Sequence, residues 1–417
     1  MRGVGLRLLT ITFFLIIPVC AFAQTSQKLR DRDPDLAGSK KILDDLQQAN
    51  FHYGSFYLMS RIRISDLGVS ETAYVPTGDQ TSGVSLNVEA PQRLYYRPHR
   101  KAIFTVEAIP GYSFFGNRDS RQFNYSARAD AHFLFNHVYL NPYTVGLDQL
   151  RAFVSDINRL ATMREHTGGV AGEIKYSSRT SALFNVSYSD IKFPSGRYQP
   201  LLVNGDPLPI NLLDRVERNG RVSLTHKTLP KTTFFVAAEG STYAFRRATY
   251  KDSTRLWYGA GLNWNSGRTQ FRLEGGPVQL RFDDPLQSDY TGVSGQVGFS
   301  RSNGPWGYEI GGDRDLGFSI TQGNNYFVST TGHAGITYDA TRRLTLRTNA
   351  VRQRDEYDHP VLGIDRVDNI SFYSVGASYG LRRLRFGGDV GWYERKSTIF
   401  SETDDGIRYL VHLSFTP

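Results

Sequence analysis

The side chains that could carry catalysis are dispersed through this sequence. It contains neither a Gly-x-Ser-x-Gly nucleophile motif nor a His-Glu-x-x-His metal motif. A general acid, a general base or a nucleophile needs a partner within hydrogen-bond reach. The nine histidines stand singly along the chain: His52, His99, His132, His137, His166, His226, His333, His359 and His412. We therefore expect no enzyme activity, no catalytic residues and no bound cofactor or metal.

Carboxylates cluster in segments that are otherwise polar. The clusters are Asp283-Asp284, Asp355-Glu356-Tyr357-Asp358 and Glu402-Thr403-Asp404-Asp405. Their oxygens could bind divalent cations that bridge lipopolysaccharide or neighbouring loops. Solvated loop charge is the alternative, and we favour it.

Arginine recurs at alternate positions of extended segments, on the side opposite the apolar residues. Several acids share its phase, among them Asp130, Glu173, Glu239, Glu274 and Asp389. If this side lines a pore, the excess of arginine favours anionic solutes or acidic polysaccharide. The alternative is that ion pairs brace a wall, and both interpretations can hold together. The predicted pore-lining arginines are Arg128, Arg221, Arg255, Arg272, Arg347, Arg383, Arg385 and Arg408, with Arg61 and Arg63 in the same phase.

The elements that position these side chains begin after a secretion signal. Residues 1–23 combine Arg2 and Arg7 with the apolar run 8–19 and end on Ala21-Phe22-Ala23, which predicts cleavage near Ala23. Removal of the signal leaves 47 basic and 40 acidic residues, a formal charge of +7. Cys20 is the single cysteine, so the mature chain has no disulfide. A lipidated Cys20 is the less favoured alternative.

Composition narrows the class of the exported chain. Mean hydropathy is −0.39, the chain holds 40 glycines, and 13% of its residues are aromatic. No later stretch is apolar enough for a spanning helix. A large secreted β protein or a transmembrane barrel fits, because alternating strands hide their hydrophobicity from averaged scales.

Residues 24–54 form a polar leader that differs from the rest of the chain. Asp33-Pro34 could begin a short helix with Ile42, Leu43 and Leu46 on one face. A mobile periplasmic segment is one interpretation, and a helix that enters the barrel mouth is the other.

From residue 55 to 417, alternation with period two predicts an all-β, antiparallel up-and-down transmembrane barrel. Short turns alternate with longer polar loops, which predicts periplasmic N- and C-termini and extracellular loops. In 269–282 the apolar phase changes across Gly275-Gly276-Pro277, which predicts a bulge there. We expect about 18 strands, with 16 possible, starting near 55, 81, 101, 119, 137, 167, 180, 213, 231, 254, 269, 289, 305, 325, 343, 368, 382 and 404.

Aromatic residues with outward phase fall beside the breaks, as the two membrane interfaces of a barrel require. Tyr188, Tyr258, Tyr373 and Trp392 lie beside long loops. Beside the short turns lie Tyr176, Phe234, Trp264, Phe271, Phe299, Trp306, Tyr338, Tyr379 and Phe415.

The last predicted strand resembles the C-terminal signal that the outer-membrane assembly machinery reads. Glycine is followed there by alternating aromatic and aliphatic residues, although Thr416 and Pro417 extend beyond the usual terminal aromatic. The residues of this predicted assembly signal are Gly406, Tyr409, Val411, Leu413 and Phe415, with Ile407 in the same phase.

The whole layout resembles the outer-membrane β-barrel porins that are associated with exopolysaccharide gene clusters. The similarity lies in the signal peptide, the polar leader, the opening segments 61–65 and 83–88, and the hairpins that follow. This chain departs from that family at Glu71-Thr72-Ala73-Tyr74, where an Asp-Asn element is usual. The resemblance implies passage of polysaccharide and no catalytic residues.

We therefore expect a porin-like channel in the outer membrane for small solutes or polysaccharide, with a lumen biased toward anions. A non-conducting anchor or surface receptor that uses the long loops is the alternative. A soluble propeller or lectin should show shared repeats, which this sequence lacks. Expected partners are outer-membrane lipid, lipopolysaccharide and the barrel-assembly machinery. Polysaccharide is a further candidate partner, and nucleic acid is not expected.

Overall fold

A computed structural model describes residues 49–70, 83–115, 120–153, 159–194, 210–320, 324–359, 364–399 and 403–416, together with 42, 46, 202–203 and 206–207. The predicted signal peptide with its cleavage site at Ala23, residues 24–41 of the leader, and Glu71-Thr72-Ala73-Tyr74 lie outside the described residues.

Antiparallel strands make up nearly all of the described chain. In chain order they are β1 (Phe51–Tyr53), β2 (Phe56–Ser60), β3 (Ile62–Ser70), β4 (Gly83–Glu89), β5 (Gln92–His99), β6 (Ala102–Phe115), β7 (Ser120–Leu134), β8 (Val138–Phe153), β9 (Arg159–Lys175), β10 (Thr180–Lys192), β11 (Leu202–Val203), β12 (Asp206–Pro207), β13 (Arg215–Leu229), β14 (Thr232–Phe245), β15 (Ser253–Asn265), β16 (Thr269–Phe282), β17 (Tyr290–Asn303), β18 (Trp306–Phe318), β19 (Tyr326–Asp339), β20 (Leu344–Tyr357), β21 (Val367–Leu381), β22 (Leu384–Ser397) and β23 (Asp404–Phe415).

Eighteen strand positions close into one barrel. β2 and β3 form a single strand interrupted at Arg61, and β4 and β5 form a second one interrupted at Ala90 and Pro91. The Arg61 N–H donates to the Pro91 carbonyl (3.0 Å) across the first break. β23 pairs with β3 and closes the ring, while the other wall strands pair in chain order. The predicted all-β fold with 18 antiparallel strands is confirmed.

The two ends of the barrel differ in their connections. Short turns lie at the end where β23 finishes, which we call the terminal rim. β1 also lies there, paired with the part of β2 that β23 does not reach. The opposite end, the loop rim, carries the longer connections 193–214, 246–252, 283–289, 319–325 and 358–366.

Most predicted strand starts lie within two residues of those in the structure. The exception is β9, which begins at Arg159 instead of near 167, in a stretch whose alternation is irregular. β22 begins at Leu384, so Arg382 and Arg383 form the turn before it, and Arg382 has a positive φ of 35°. Of the acidic cluster expected in a loop, Asp355, Glu356 and Tyr357 still belong to β20.

The outward face of the wall is apolar. Phe234, Val236, Val375 and Val390 are exposed on it. Tyr188, Tyr258, Tyr373 and Trp392 are exposed near the loop rim, and Tyr373 stacks on Trp392 with ring centroids 5.5 Å apart. The inward face carries the charged and polar side chains. This division suits a wall that meets hydrocarbon outside and water inside.

The predicted change of phase in β16 is wrong. β16 pairs with β17 from Thr269 to Leu280 without a register shift, so the strand has no bulge there. Val278, Leu280 and Phe282 are buried and face inward, in phase with Glu274. Their apolar character has another cause, because the lumen is packed at this height.

Helix is scarce in the part of the chain that the structure describes. Ile42 and Leu46 are helical, and short 3-10 turns cover Ile210–Leu213 and Thr249–Lys251. None of the described helices has the length and apolarity needed to span a membrane.

Candidate functional site

A network of buried ion pairs covers the inner wall from β13 to β18. Arg221 on β13 donates to Glu239 on β14 (3.1 Å) and to Glu274 on β16 (2.5 Å). Arg255 on β15 pairs with the same Glu239 and with Asp315 on β18 (3.0 Å). These five side chains are at least nine-tenths buried. Charges withdrawn from water this far are tolerated only when they are paired and hydrogen-bonded.

Neutral groups and one accessible arginine complete the network. Gln296 donates to Glu274 (2.9 Å), and the Ser294 hydroxyl donates to Asp315 (3.0 Å). Arg272 pairs with Glu274 (3.0 Å), and its side chain is 52% exposed. With Arg272 included, three arginines face three carboxylates, so this wall section carries little net charge.

A second cluster lies nearer the terminal rim. Arg347 on β20 donates through Nε to Asp389 on β22 (2.7 Å), and the His412 ring lies 3.3 Å from the same carboxylate. Arg385, four residues before Asp389 on β22 and nearer the turn, is half-buried and lies within electrostatic range of Arg61. Arginine is less fully neutralised here than in the network above.

At the loop rim the hairpin formed by β18 and β19 bends into the lumen. β17 pairs with β18 only as far as Gly295 opposite Arg314. Beyond that level both faces of the hairpin are buried, at 315–320 and at 324–329. Phe318 packs against Tyr243 and Phe245, with ring centroids 5.0 and 4.9 Å apart. The hairpin end therefore fills part of the lumen, which explains the apolar inner face of β16.

Lys251, in the connection between β14 and β15, holds this hairpin end. Its ammonium donates to the carbonyl oxygens of Ser319 (2.5 Å) and Asn324 (2.8 Å), and the side chain is 2% exposed. Asp358, in the connection between β20 and β21, accepts a hydrogen bond from the Asn325 N–H (3.1 Å). Burial raises the pKa of the Asp358 carboxyl, while that hydrogen bond opposes the shift. Three connections are thus tied together inside the loop rim.

Apolar packing also occurs at the terminal rim. Ile42 and Leu46, from the leader, are each 6% exposed and belong to one buried cluster with Tyr95 and Ile103. Tyr95 and Ile103 face inward, in alternation with exposed Tyr96 and Phe104. Ile42 and Leu46 thus pack against inward-facing residues of β5 and β6.

The remaining predicted pore-lining residues differ in their positions. Arg128 faces inward and pairs with Asp130 (2.8 Å), with its guanidinium over the Tyr143 ring. Arg408 is 5% exposed and stacks over Tyr393. Arg383 lies in the exposed turn at the terminal rim, so it is not on the inner wall.

The predicted assembly signal forms β23. Tyr409, Val411 and Phe415 are exposed on the outward face, with half-buried Leu413 in the same phase, and Gly406 is buried. Beyond the strand, the Thr416 N–H donates to the Arg383 carbonyl (2.9 Å), so this residue is still attached to the barrel.

Sequence reasoning missed several of the inward-facing acids that pair with these arginines. Glu217 pairs with Arg215 (2.7 Å), and Asp368 pairs with Arg395 (2.6 Å), all four being almost fully buried. Their phase was readable in the sequence, as it was for Asp315. Because Arg215 and Arg395 were missed together with these two acids, the two pairs do not change the excess of arginine over acid, and of the acids named here only Asp315 lowers it.

The histidines and acids do not form a metal site within the described ranges. No group of three or more His, Cys, Asp or Glu side chains there could hold an ion. His132 is typical, since its ring forms a hydrogen bond with the Tyr139 hydroxyl (2.9 Å) on the inner wall.

Comparison with known proteins gives similarity of fold. No protein-family model and no curated sequence matches this chain. Among solved structures, OpdQ of Pseudomonas aeruginosa matches with a TM-score of 0.51 and 10% identity, over 87% of this chain and 97% of that one. OccK2 (OpdF) of the same organism, solved in complex with glucuronate, matches with a TM-score of 0.51 and 10% identity, over 86% and 98%.

A BenF-like porin from Pseudomonas fluorescens Pf-5 matches with a TM-score of 0.51 and 9% identity, over 86% of this chain and 99% of that one. Each of these matches spans nearly the whole of the other chain. The chain thus has the fold of these outer-membrane proteins, a closed antiparallel barrel of 18 strands.

Proposed function

We propose that this protein is an outer-membrane porin-like channel for small anionic solutes, with the loop rim outside the cell and the terminal rim in the periplasm. The observation that carries the proposal is a closed barrel of 18 strands with an apolar outer face and a charged inner wall. Short turns on one rim and long loops on the other support this orientation. The outward alternation of Tyr409, Val411 and Phe415 supports recognition of β23 by the assembly machinery.

The bias toward anions rests on arginines near the terminal rim. The buried network from Arg221 to Asp315 is balanced in charge, so it adds little to the field in the lumen. Arg272 is half exposed but already belongs to that balance through Glu274, whereas Arg385 and Arg61 lie close to one another outside the network. Cationic groups with access to water attract anions into a narrow passage. The glucuronate in the OccK2 complex is a small carboxylate anion, which is the class of solute that we propose for this protein.

The size of the solute follows from the packing. The inward hairpin, Lys251 and the aromatic residues around Phe318 occupy the lumen at the loop rim, which favours small solutes over a polymer. The same packing gives weight to the alternative, a non-conducting anchor or receptor. Passage of polysaccharide would require these connections to move aside.

Planar-bilayer recording of the purified full-length protein tests both functions. Stepwise conductance and a reversal potential that favours anions in a salt gradient are the expected results. The double variant Arg272→Gln with Arg385→Gln should shift the reversal potential toward cations, while Arg218→Gln, on the outward face of β13, should not. Silence over many insertions would instead support the anchor, and an unchanged preference in the double variant would remove the anion bias.

A further inference from the structure

A basic patch lies on the outward face of the wall, next to the loop rim. It consists of Arg314 on β18 and of Arg352 and Arg354 on β20. The phase of both strands is fixed by their buried inward residues, Asp315 and Gln353, so the three arginines point away from the lumen. They are therefore separate from the paired arginines of the inner wall.

The patch begins where the apolar outer face ends. On β20 the outward residues nearer the terminal rim are Leu344, Leu346, Thr348 and Ala350, and they are followed directly by Arg352 and Arg354. Ala350 stands opposite Tyr373, which stacks on Trp392. Aromatic residues of this kind mark the membrane interface. The arginines therefore lie at the height of lipid headgroups.

The three arginines lie on neighbouring register positions around Thr330 and Gly332 of β19. Thr330 on β19 stands opposite Arg314 on one side and Arg354 on the other. Two strand spacings separate these arginines, about 10 Å, and Arg352 follows at about 7 Å along its strand. Gly332 stands opposite Arg352, and no atom lies within 4 Å of where its side chain would begin.

The charge of the patch is only partly neutralised. Arg354 pairs with Glu356 (2.8 Å), with both side chains exposed. Arg314 donates to the Thr330 hydroxyl (2.8 Å), which does not change its charge. Among the described residues, no acidic side chain pairs with Arg314 or with Arg352. The patch therefore presents an excess of positive charge at the edge of the membrane.

We propose that this patch binds the phosphate groups of a phosphorylated glycolipid, the lipid A part of lipopolysaccharide. Guanidinium groups are the preferred partners of phosphate because they can donate two parallel hydrogen bonds. The site requires phosphate at headgroup height next to an acyl chain, and a glycolipid that carries two phosphates matches arginines spread over two strand spacings. The proposal rests on the orientation given above, with the loop rim in the outer leaflet.

Native mass spectrometry of the full-length protein in detergent, with bis-phosphorylated lipid A as the probe, tests this site. The wild-type protein should retain the lipid, and the triple variant Arg314→Gln, Arg352→Gln, Arg354→Gln should bind it at least tenfold more weakly. Arg218→Gln is the matched control, because it removes an exposed outward arginine beside Tyr188 on another part of the loop rim, and it should bind as the wild type does.

Three results would overturn the proposal. They are retention of lipid A by the triple variant, equal binding of dephosphorylated lipid A, and equal binding of phosphatidylglycerol by the wild type. Should the triple variant fail to fold, as shown by its mobility on unheated gels, the single variant Arg352→Gln takes its place. Lipid binding in detergent does not require conduction, so a silent bilayer recording would count against the channel and leave this result intact.

Discussion

The indole nitrogen of Trp257 donates a hydrogen bond to the backbone carbonyl of Ser294 (3.3 Å), at the level where β18 leaves β17. Trp257 is fully buried, and the Arg221 guanidinium lies over its ring at 5.3 Å. One side chain thus connects the charged network to the point where the hairpin turns into the lumen. The indole N–H makes the contact with the Ser294 carbonyl, and the face of the ring makes the contact with the Arg221 guanidinium.

Replacement of Trp257 by Phe should therefore weaken this part of the barrel. The variant loses the N–H donor and leaves a cavity, and we expect the free energy of unfolding to fall by about 1–3 kcal/mol. Urea unfolding of the protein refolded into lipid vesicles measures this change. Trp264→Phe, on the outward face near the terminal rim, is the control and should cost less; equal losses in the two variants would contradict the role assigned to Trp257.

Lys251→Met should release the inward hairpin. The substitution keeps most of the side-chain volume but removes the donor to the carbonyl oxygens of Ser319 and Asn324, so the hairpin end loses its tie to the connection between β14 and β15. In planar bilayers we expect a larger open conductance or more frequent steps between conductance levels. Lys231→Met removes an exposed lysine from a short turn at the other rim and should leave the recordings unchanged. If both variants conduct like the wild type, Lys251 does not determine how far the hairpin end narrows the lumen.

The wall of this barrel could be predicted from sequence because alternation is a local property. In each strand, a few alternating apolar residues indicate which face points outward. In 384–392 these residues are Leu384, Phe386, Val390 and Trp392. The buried leader could not be predicted in the same way. Whether Ile42 and Leu46 are covered depends on Tyr95 and Ile103, which lie far away in sequence and face inward against the usual polarity.

The apolar packing that fills part of the lumen at the loop rim was not predicted, for a related reason. Val278, Leu280 and Phe282 have the same character as lipid-facing residues, so the sequence alone suggested a change of phase where none exists. Only the return of the β18–β19 hairpin, some 40 residues later, explains why apolar side chains face the lumen. The arginine partners were partly predictable, since Asp315 shares the inward phase, but the pairing of Arg255 with it crosses two intervening strands, β16 and β17.

The leader should become accessible when its apolar contact is disrupted. The double variant Ile42→Asp with Leu46→Asp would bury two carboxylates against Tyr95 and Ile103, and burial of unpaired charge is unfavourable. We expect faster trypsin cleavage at Lys40 and Lys41, with the strands still protected, as read from peptide masses over time. Tyr53→Asp is the control, because Tyr53 is 87% exposed. Equal cleavage rates in all three proteins would mean that the leader is not held in the mouth.

The inward and outward phases of the wall predict opposite tolerances for one added charge. Val390 is 51% exposed on the outward face near the middle of β22, whereas Asn263 is an accessible inward residue of β15. Val390→Arg places a guanidinium in hydrocarbon, at a cost of about 2–4 kcal/mol near the membrane midplane. Asn263→Arg places the same group in the aqueous lumen beside Arg272, where repulsion is weaker because water screens it. Insertion into lipid vesicles, followed by the fraction of protein that resists protease, should fall for Val390→Arg and stay near the wild-type value for Asn263→Arg. If Asn263→Arg blocks insertion and Val390→Arg does not, the assigned faces are reversed. If the two variants insert equally well, the wall does not contact lipid, because a barrel in a membrane cannot treat these two positions alike.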